Sequence, residues 1–346
     1  MLPILAEFAL GLIITLNTLS DVFSSIVVPG PSSARLSAAR HVRRMSVPLW
    51  RYVSQKRAKG GRQQLSNSFA PLLFFLAFAT WMALLLLGFS LMFHALASSF
   101  EPPLAGFDDA IYFAGSSLLT LGVSEVDAHG AARWLVLWAG LSGFGVITAT
   151  ITFILQIQAG LQQREAGVLT LSGLAGTPAC GILLLENFAA LGLRAELRPF
   201  FKEWRDWSTA TLHSHVAHPM LVYFHSVDAE SDWLSALHVV LDAATLILVL
   251  TEEDSIGTAA MMHRGGSRTA AHLCELFDLE HKELEAISEE SLRLLIERLR
   301  EAGYAAKPAS KRLAAELSKF RADYAGRLNS LGEHLGAERV ELLPAR

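Results

Sequence analysis

Several side-chain clusters in this sequence could in principle do chemistry. His213, His215, His218 and His225, joined by His238 and Asp242, carry the donors of a transition-metal site. His215 and His218 fall on adjacent turns if their segment is helical. Their setting, W…SH…HPML, reads as structural packing, so no metal is expected there. Cys180 and Cys274 match no zinc or redox spacing and read as small buried apolar residues. GLAGTPACG has the wrong glycine spacing for a dinucleotide site, and no nucleophile motif, phosphate loop or carboxylate pair occurs in a recognisable setting. An enzyme is not expected. What stands out is the stretch 107–123, FDDAIYFAGSSLLTLGV, which is too apolar for a solvated connection and too short to cross a bilayer. Asp108 and Asp109 suit a helix N-terminus, and 110–119 supplies about 15 Å of helix. The irregular backbone that must follow at 120–126 is tolerated at membrane depth only inside protein or along an aqueous path.

The elements that must position this stretch are apolar. Of 346 residues 52% are hydrophobic and only 18% charged, with mean hydropathy +0.36, beyond ordinary soluble usage. Segments 69–93 and 134–157 each pass the length test for a membrane-crossing helix, and 4–28 is a weaker third whose Asp21 lies near its end. Residues 31–68 carry Arg35, Arg40, Arg43, Arg44, Arg51, Lys56, Arg57, Lys59 and Arg62 and no acid. By the positive-inside rule that linker is cytoplasmic, which puts the N-terminus outside and everything after Arg164 in the cytoplasm. A net charge of −4 gives no case for nucleic-acid binding; the basic linker suits topology and lipid headgroups. No removable signal peptide is expected, since the N-terminus lacks a basic n-region.

Helix, short helix, TLG, helix is also the order of a known family. AIYFAGSSLLTLGVSEV resembles the pore segment of the bacterial two-transmembrane pore-loop potassium channels, in which a short aromatic-containing helix precedes T-[VL]-G-Y-G-D. The resemblance implies an all-α membrane protein with three transmembrane helices, a re-entrant pore helix and filter loop, and a helical cytoplasmic domain. It implies a homotetramer in a lipid bilayer, with backbone carbonyls of Thr120, Leu121, Gly122, Val123 and Ser124 replacing a cation's hydration shell. Glu125 would form an acidic outer mouth, and Gly140, Gly143 and Gly145 a gating hinge or a close-packing seam in the last span. Potassium, or another monovalent cation, would be the permeant ion, with no bound cofactor. The sequence departs from the family at Val123, Ser124 and Glu125, where the pattern has Tyr, Gly and Asp. A non-glycine residue in left-handed backbone costs about 1 to 2 kcal/mol per subunit. The alternative reading is therefore a non-conducting or non-selective channel-derived sensor or scaffold that signals through its cytoplasmic domain.

The expected organisation is an N-terminal helix (1–30), a basic linker (31–68), a pore domain (69–160) and a helical cytoplasmic domain (161–346) of a protein in a bacterial inner membrane. In the last part, breaks are expected at Pro178, Pro199, Pro219, Gly265 and Pro308, with a helix start at Thr177 and Pro178. LSALHVVLDAATLILVL places His238 and Asp242 one turn apart and fits a buried core helix better than a membrane span. Segments 289–300 and 307–339 are charged with helical apolar spacing, as exposed or intersubunit helices would be.

Overall fold

In a computed structural model, the structure describes residues 2–26, 59–122, 125–175, 179–224, 232–335, 337 and 340–343. Eleven α-helices appear among them: α1 (Leu2–Ile26), α2 (Lys59–Ala95), α3 (Phe107–Leu118), α4 (Ala131–Ser172), α5 (Gly181–Ala190), α6 (Leu197–Ala217), α7 (Trp233–Leu250), α8 (Ile256–Leu276), α9 (Glu289–Glu301), α10 (Lys311–Ala322) and α11 (Ala325–Leu335). Four of these, α1, α2, α4 and α7, contain stretches long and apolar enough to cross a membrane. The chain divides into two compact units, Met1–Ile157 and Gln158–Arg346, and α4 contributes its first part to one and its last turns to the other.

In the first unit α1 and α2 lie antiparallel. Nδ1 of His94 meets Oε1 of Glu7 at 2.7 Å near one end, and Trp81 Nε1 donates to Asp21 at 2.8 Å near the other. Between them the backbones come close: a Cβ at Gly11 would lie 2.5 Å from the carbonyl oxygen of Gly88, and one at Gly88 would lie 2.4 Å from the Thr15 hydroxyl. Small residues serve helix pairing in lipid because no hydrophobic drive separates helix from solvent there, and dispersion and hydrogen bonds must do the work. α2 runs antiparallel to α4 as well, with Phe74 stacked on Phe153 (5.5 Å) and Phe89 edge-on to Trp138 (5.3 Å). α2 starts at Lys59, ten residues before the apolar span read from the sequence, so the end of the basic linker is already helical. Residues 31–58 of that linker, and 27–30 before it, lie outside the described residues.

The second unit is a helical body built around α7. Sixteen of its 18 residues are buried, including His238 and Asp242, so protein surrounds it on every side, as a core helix requires. α5 begins at Gly181; Thr177 and Pro178, where a helix start is expected, lie outside the described residues. Gly265 does not break its helix: α8 runs through it, because Gly265 and Gly266 are the points where Arg205 and Leu241 press closest. Pro199 likewise sits in the first turn of α6, where its missing N–H is harmless. The charged C-terminal segments are part of the body rather than appendages. α9 and α10 begin on Ser288 and Ser310, whose hydroxyls accept from the backbone N–H three residues on, and send Leu292, Leu295 and Leu299, and Leu313 and Leu317, into the core.

Candidate functional site: a short helix ending halfway along α4

Residues 96–130 leave α2 and return to α4 through a closed loop. Its base is pinned by a two-residue antiparallel pair, Phe100–Glu101 with Asp127–Ala128, and by the His129 N–H donating to the Ser99 carbonyl at 2.8 Å. From that base α3 turns back between the long helices. Asp108 and Asp109 occupy its first turn, where negative charge suits the helix dipole, and the Asp109 carboxylate accepts from the Ala105 N–H at 3.0 Å. Phe113 packs edge-on against Phe93 (5.2 Å) and Phe100 (5.0 Å), fixing its outer half to α2.

The inner end of α3 is fixed by α4. A Cβ at Gly143 would stand 1.9 Å from the Leu118 carbonyl oxygen, and one at Gly140 would stand 3.4 Å from that of Ser117. Gly143 is twelve residues into α4, about 18 Å along its axis, so α3 stops near the middle of the apolar part of that helix. Gly145 meets nothing within 4 Å, and α4 is continuous through all three glycines. Of the three, then, Gly140 and Gly143 receive a neighbouring helix end and Gly145 does not.

α3 closes with paired carbonyls. The Thr120 N–H donates to the Ser117 carbonyl (3.2 Å) and the Leu121 N–H to that of Ser116 (2.9 Å), the Schellman arrangement. That arrangement puts Thr120 in left-handed backbone, φ 54°, where a β-branched residue is strained. Gly122 follows at φ 65°. Two left-handed residues within three turn the chain sharply, and Leu119, Thr120, Leu121, Gly122 and Glu125 are all exposed in the single chain. Val123 and Ser124 lie outside the described residues.

Below this turn, one line on α4 changes character. Trp134, Leu137, Leu141 and Phe144 are exposed and large on its outer half. Gly145, Thr148, Thr152 and Gln156 are exposed on its inner half, small or polar and spaced by 3 or 4, beside the exposed Ile151 and Leu155. Sequence reading singled out Gly145 as a hinge or packing glycine but not Thr148 or Thr152. The signal was available as the 3-4-4 spacing of polar residues in an otherwise apolar helix.

The histidine candidates do not converge. Among the described residues no three His, Cys, Asp or Glu side chains are grouped to hold a metal, and His225 lies outside them. His213 is exposed, while His215 turns inward against Trp233 (4.9 Å). Burial, helped by the nearby Arg164 charge, pushes His215 down to about 3, so it stays neutral. Arg164 itself is buried. Its guanidinium donates to Glu165 (2.9 and 3.0 Å) and to the carbonyls of Leu221 (3.1 Å) and Phe224 (2.6 Å), and stacks over Trp233 at 5.3 Å. Burial also raises Asp232, at the start of α7, to about 6. Asp242 accepts from Tyr324 (2.5 Å) and Arg321 (3.0 Å), with His238 Nε2 3.9 Å away. In these arrangements buried carboxylates and guanidinium groups are paired with one another.

Compared with family models, with characterised proteins and with solved structures, the chain finds no match in any of the three. What stands from fold and site together is a mainly helical chain with four long apolar helices, as in a multi-pass membrane protein, and one short helix turned back between two of them.

Proposed function

We propose that the chain is the subunit of a tetrameric, pore-loop cation channel, with α1, α2 and the first part of α4 crossing the membrane and α3 as its pore helix. One observation carries the reading: α3 ends halfway along α4 in left-handed backbone at Thr120 and Gly122. A helix C-terminus directs partial negative charge at whatever lies beyond it, which favours a cation. Strain at a β-branched residue persists where surrounding structure or function requires it. The exposed line Gly145, Thr148, Thr152 and Gln156 adds a wall on which water can wet hydroxyl and amide groups.

In this reading the carbonyls of 120–124 from four copies surround an axis and stand in for hydration water, and Glu125 concentrates cations outside. Potassium is the ion the TLG pattern suggests. The basic linker keeps residues 31–68 and the second unit in the bacterial cytoplasm. Flux from purified protein in liposomes tests this. Potassium flux above the protein-free background is expected, with a higher potassium-to-sodium ratio in Ser124→Gly. Equal and negligible flux of both ions in both proteins would remove the channel and leave the sensor reading.

A further inference from the structure

Within the second unit the last turns of α4 are held by one face. Gly160, Arg164 and Gly167 follow at intervals of 4 and 3, so they line up along the helix. A Cβ at Gly160 would lie 3.3 Å from the side chains of Leu221 and Ser214, and one at Gly167 would lie 2.4 Å from Trp207 Nε1. That indole donates to the Arg164 carbonyl at 3.0 Å. Between the two glycines the Arg164 guanidinium reaches to Glu165, to the Leu221 and Phe224 carbonyls and to the face of Trp233.

This cluster is short of donors. His215 Nδ1 lies 2.7 Å from the Thr211 carbonyl, which can only accept, so the neutral ring carries its proton there and its lone pair on Nε2. Nε2 is buried without a hydrogen-bond partner among the described residues, and so is Oδ2 of Asp232, the residue before Trp233. A buried acceptor left without a donor is destabilising. Charge is out of balance as well. Asp232 lies within electrostatic reach of Arg164 and Glu165, so with all three ionised one cation faces two carboxylates. A proton on Asp232 corrects both faults, because a carboxyl group donates where a carboxylate only accepts, and Arg164 with Glu165 is then neutral.

Among the described residues, the other ionisable groups on the elements packed here are neutral or turned elsewhere. His215 stays uncharged, and His218, at the end of α6, is held below its ordinary value by burial and by His213. Tyr223, from the 219–224 turn, meets His334 of α11 at 3.5 Å, and Glu333 of α11 pairs with Lys282. His225, Asp228 and Glu230 lie outside the described residues.

We propose that Asp232 is a proton-binding site of the second unit, and that its proton fastens the start of α7 and the 219–224 turn onto Arg164 of α4. Burial raises this carboxyl to about 6, so its contribution is complete below the ordinary carboxylate range and lost as pH rises through about 6. The proposal does not rest on conduction.

Infrared spectra and hydrogen exchange of the full-length protein in lipid nanodiscs test it. The spectrum of wild type minus that of Asp232→Asn should show one protonated-carboxyl band that grows as pH falls through about 6. In Glu165→Gln, where Asp232 becomes the one acid beside Arg164, the band should move to lower pH, and this shift reads the same site even if Asp232→Asn does not fold. Exchange is compared as the ratio of wild type to Asp232→Asn at each pH, so that the titration of His215 cancels. Between about pH 7.5 and about pH 5, segments 158–172 and 219–224 of wild type should gain several-fold protection relative to Asp232→Asn, with no such gain in α10. Absence of an Asp232-dependent band, or of any shift in Glu165→Gln, overturns the proton site. A ratio that does not change with pH, or one that changes equally in α10, overturns the hold on Arg164.

Discussion

The two units solve the same problem, packing helix on helix, with different chemistry. In the first, backbones touch through Gly11, Gly88 and Gly143, aromatic rings fill the gaps, and the outward surface is Ile13, Leu16, Phe75, Leu141 and Phe144. In the second, the central helix α7 is enclosed, and buried charges are neutralised in pairs: Asp242 with Arg321, Glu186 with Arg298 at 2.6 Å, and Arg164 with Glu165. On the proposed membrane reading, the difference follows from the solvent each face needs. A body in water can hide its apolar groups, whereas a helix group in lipid has no hydrophobic reason to associate and depends on close approach. An apolar run therefore means different things in α2 and α7. Mean hydropathy qualifies both as spans, but Asp242 inside α7, met by Arg321 and Tyr324, belongs to a core.

Substitutions can break or sharpen this contrast. The largest effect is expected at Gly143→Ala, since the added carbon would collide with backbone, which cannot swing aside. Overpacking costs about 1 to 3 kcal/mol even where side chains can move. Loss of thermal stability of at least that size, with loss of flux, is expected, while Gly145→Ala should match wild type. If Gly145→Ala proved equally damaging, α4 would be bending at its glycines rather than seating α3 on one of them.

Of similar size is Asp242→Ala, which leaves Arg321 without its partner. Removing one member of a buried pair costs about 3 to 5 kcal/mol, measurable by thermal denaturation. The matching change in the first unit, Trp81→Phe, removes the donor to Asp21. Interhelical hydrogen bonds in membranes average only about 0.6 kcal/mol. A cost at Trp81 as large as that at Asp242 would erase the distinction between the units.

A pH effect of intermediate size is expected in the second unit. His215 is held far below its ordinary value, so the folded state favours the neutral ring. Stability from this group is complete above about pH 6.5 and lost as pH falls toward about 3, reaching about 2 to 3 kcal/mol by pH 4.5. Asp232 works the other way: its raised value means the fold gains as pH falls from about 6 toward 4, partly offsetting the histidine. His215→Gln should flatten the acid limb of a stability profile, and an unchanged limb would exclude His215 as its source. A small effect of opposite sign is expected at Thr120→Gly, which relieves left-handed strain of about 1 kcal/mol and should raise stability slightly.

Much of the architecture was legible because lipid imposes a crude code. The apolar runs in α2 and α4 announce themselves, and 107–119 is too apolar for a loop and too short for a span. Pairing was not legible. Gly265 reads as a breaker until Arg205 is found lying over it, and Arg164 reads only as the residue after which the chain is cytoplasmic until Glu165 and Trp233 are found around it. At the candidate site, the sequence indicated a helix followed by irregular backbone at Thr120. The contact that seats it, Leu118 on Gly143, depends on two segments meeting across 25 residues of chain, which no local pattern encodes.

The central claim is that the ends of α3 from several copies gather around one axis. It is tested most directly by distances between spin labels on Leu121→Cys in the full-length protein in lipid nanodiscs, since Leu121 is exposed and the native cysteines are buried. The account predicts two distances in the ratio of a square's side to its diagonal, unchanged by dilution of the protein. Absence of dipolar coupling, or a single broad distance that vanishes on dilution, would contradict it.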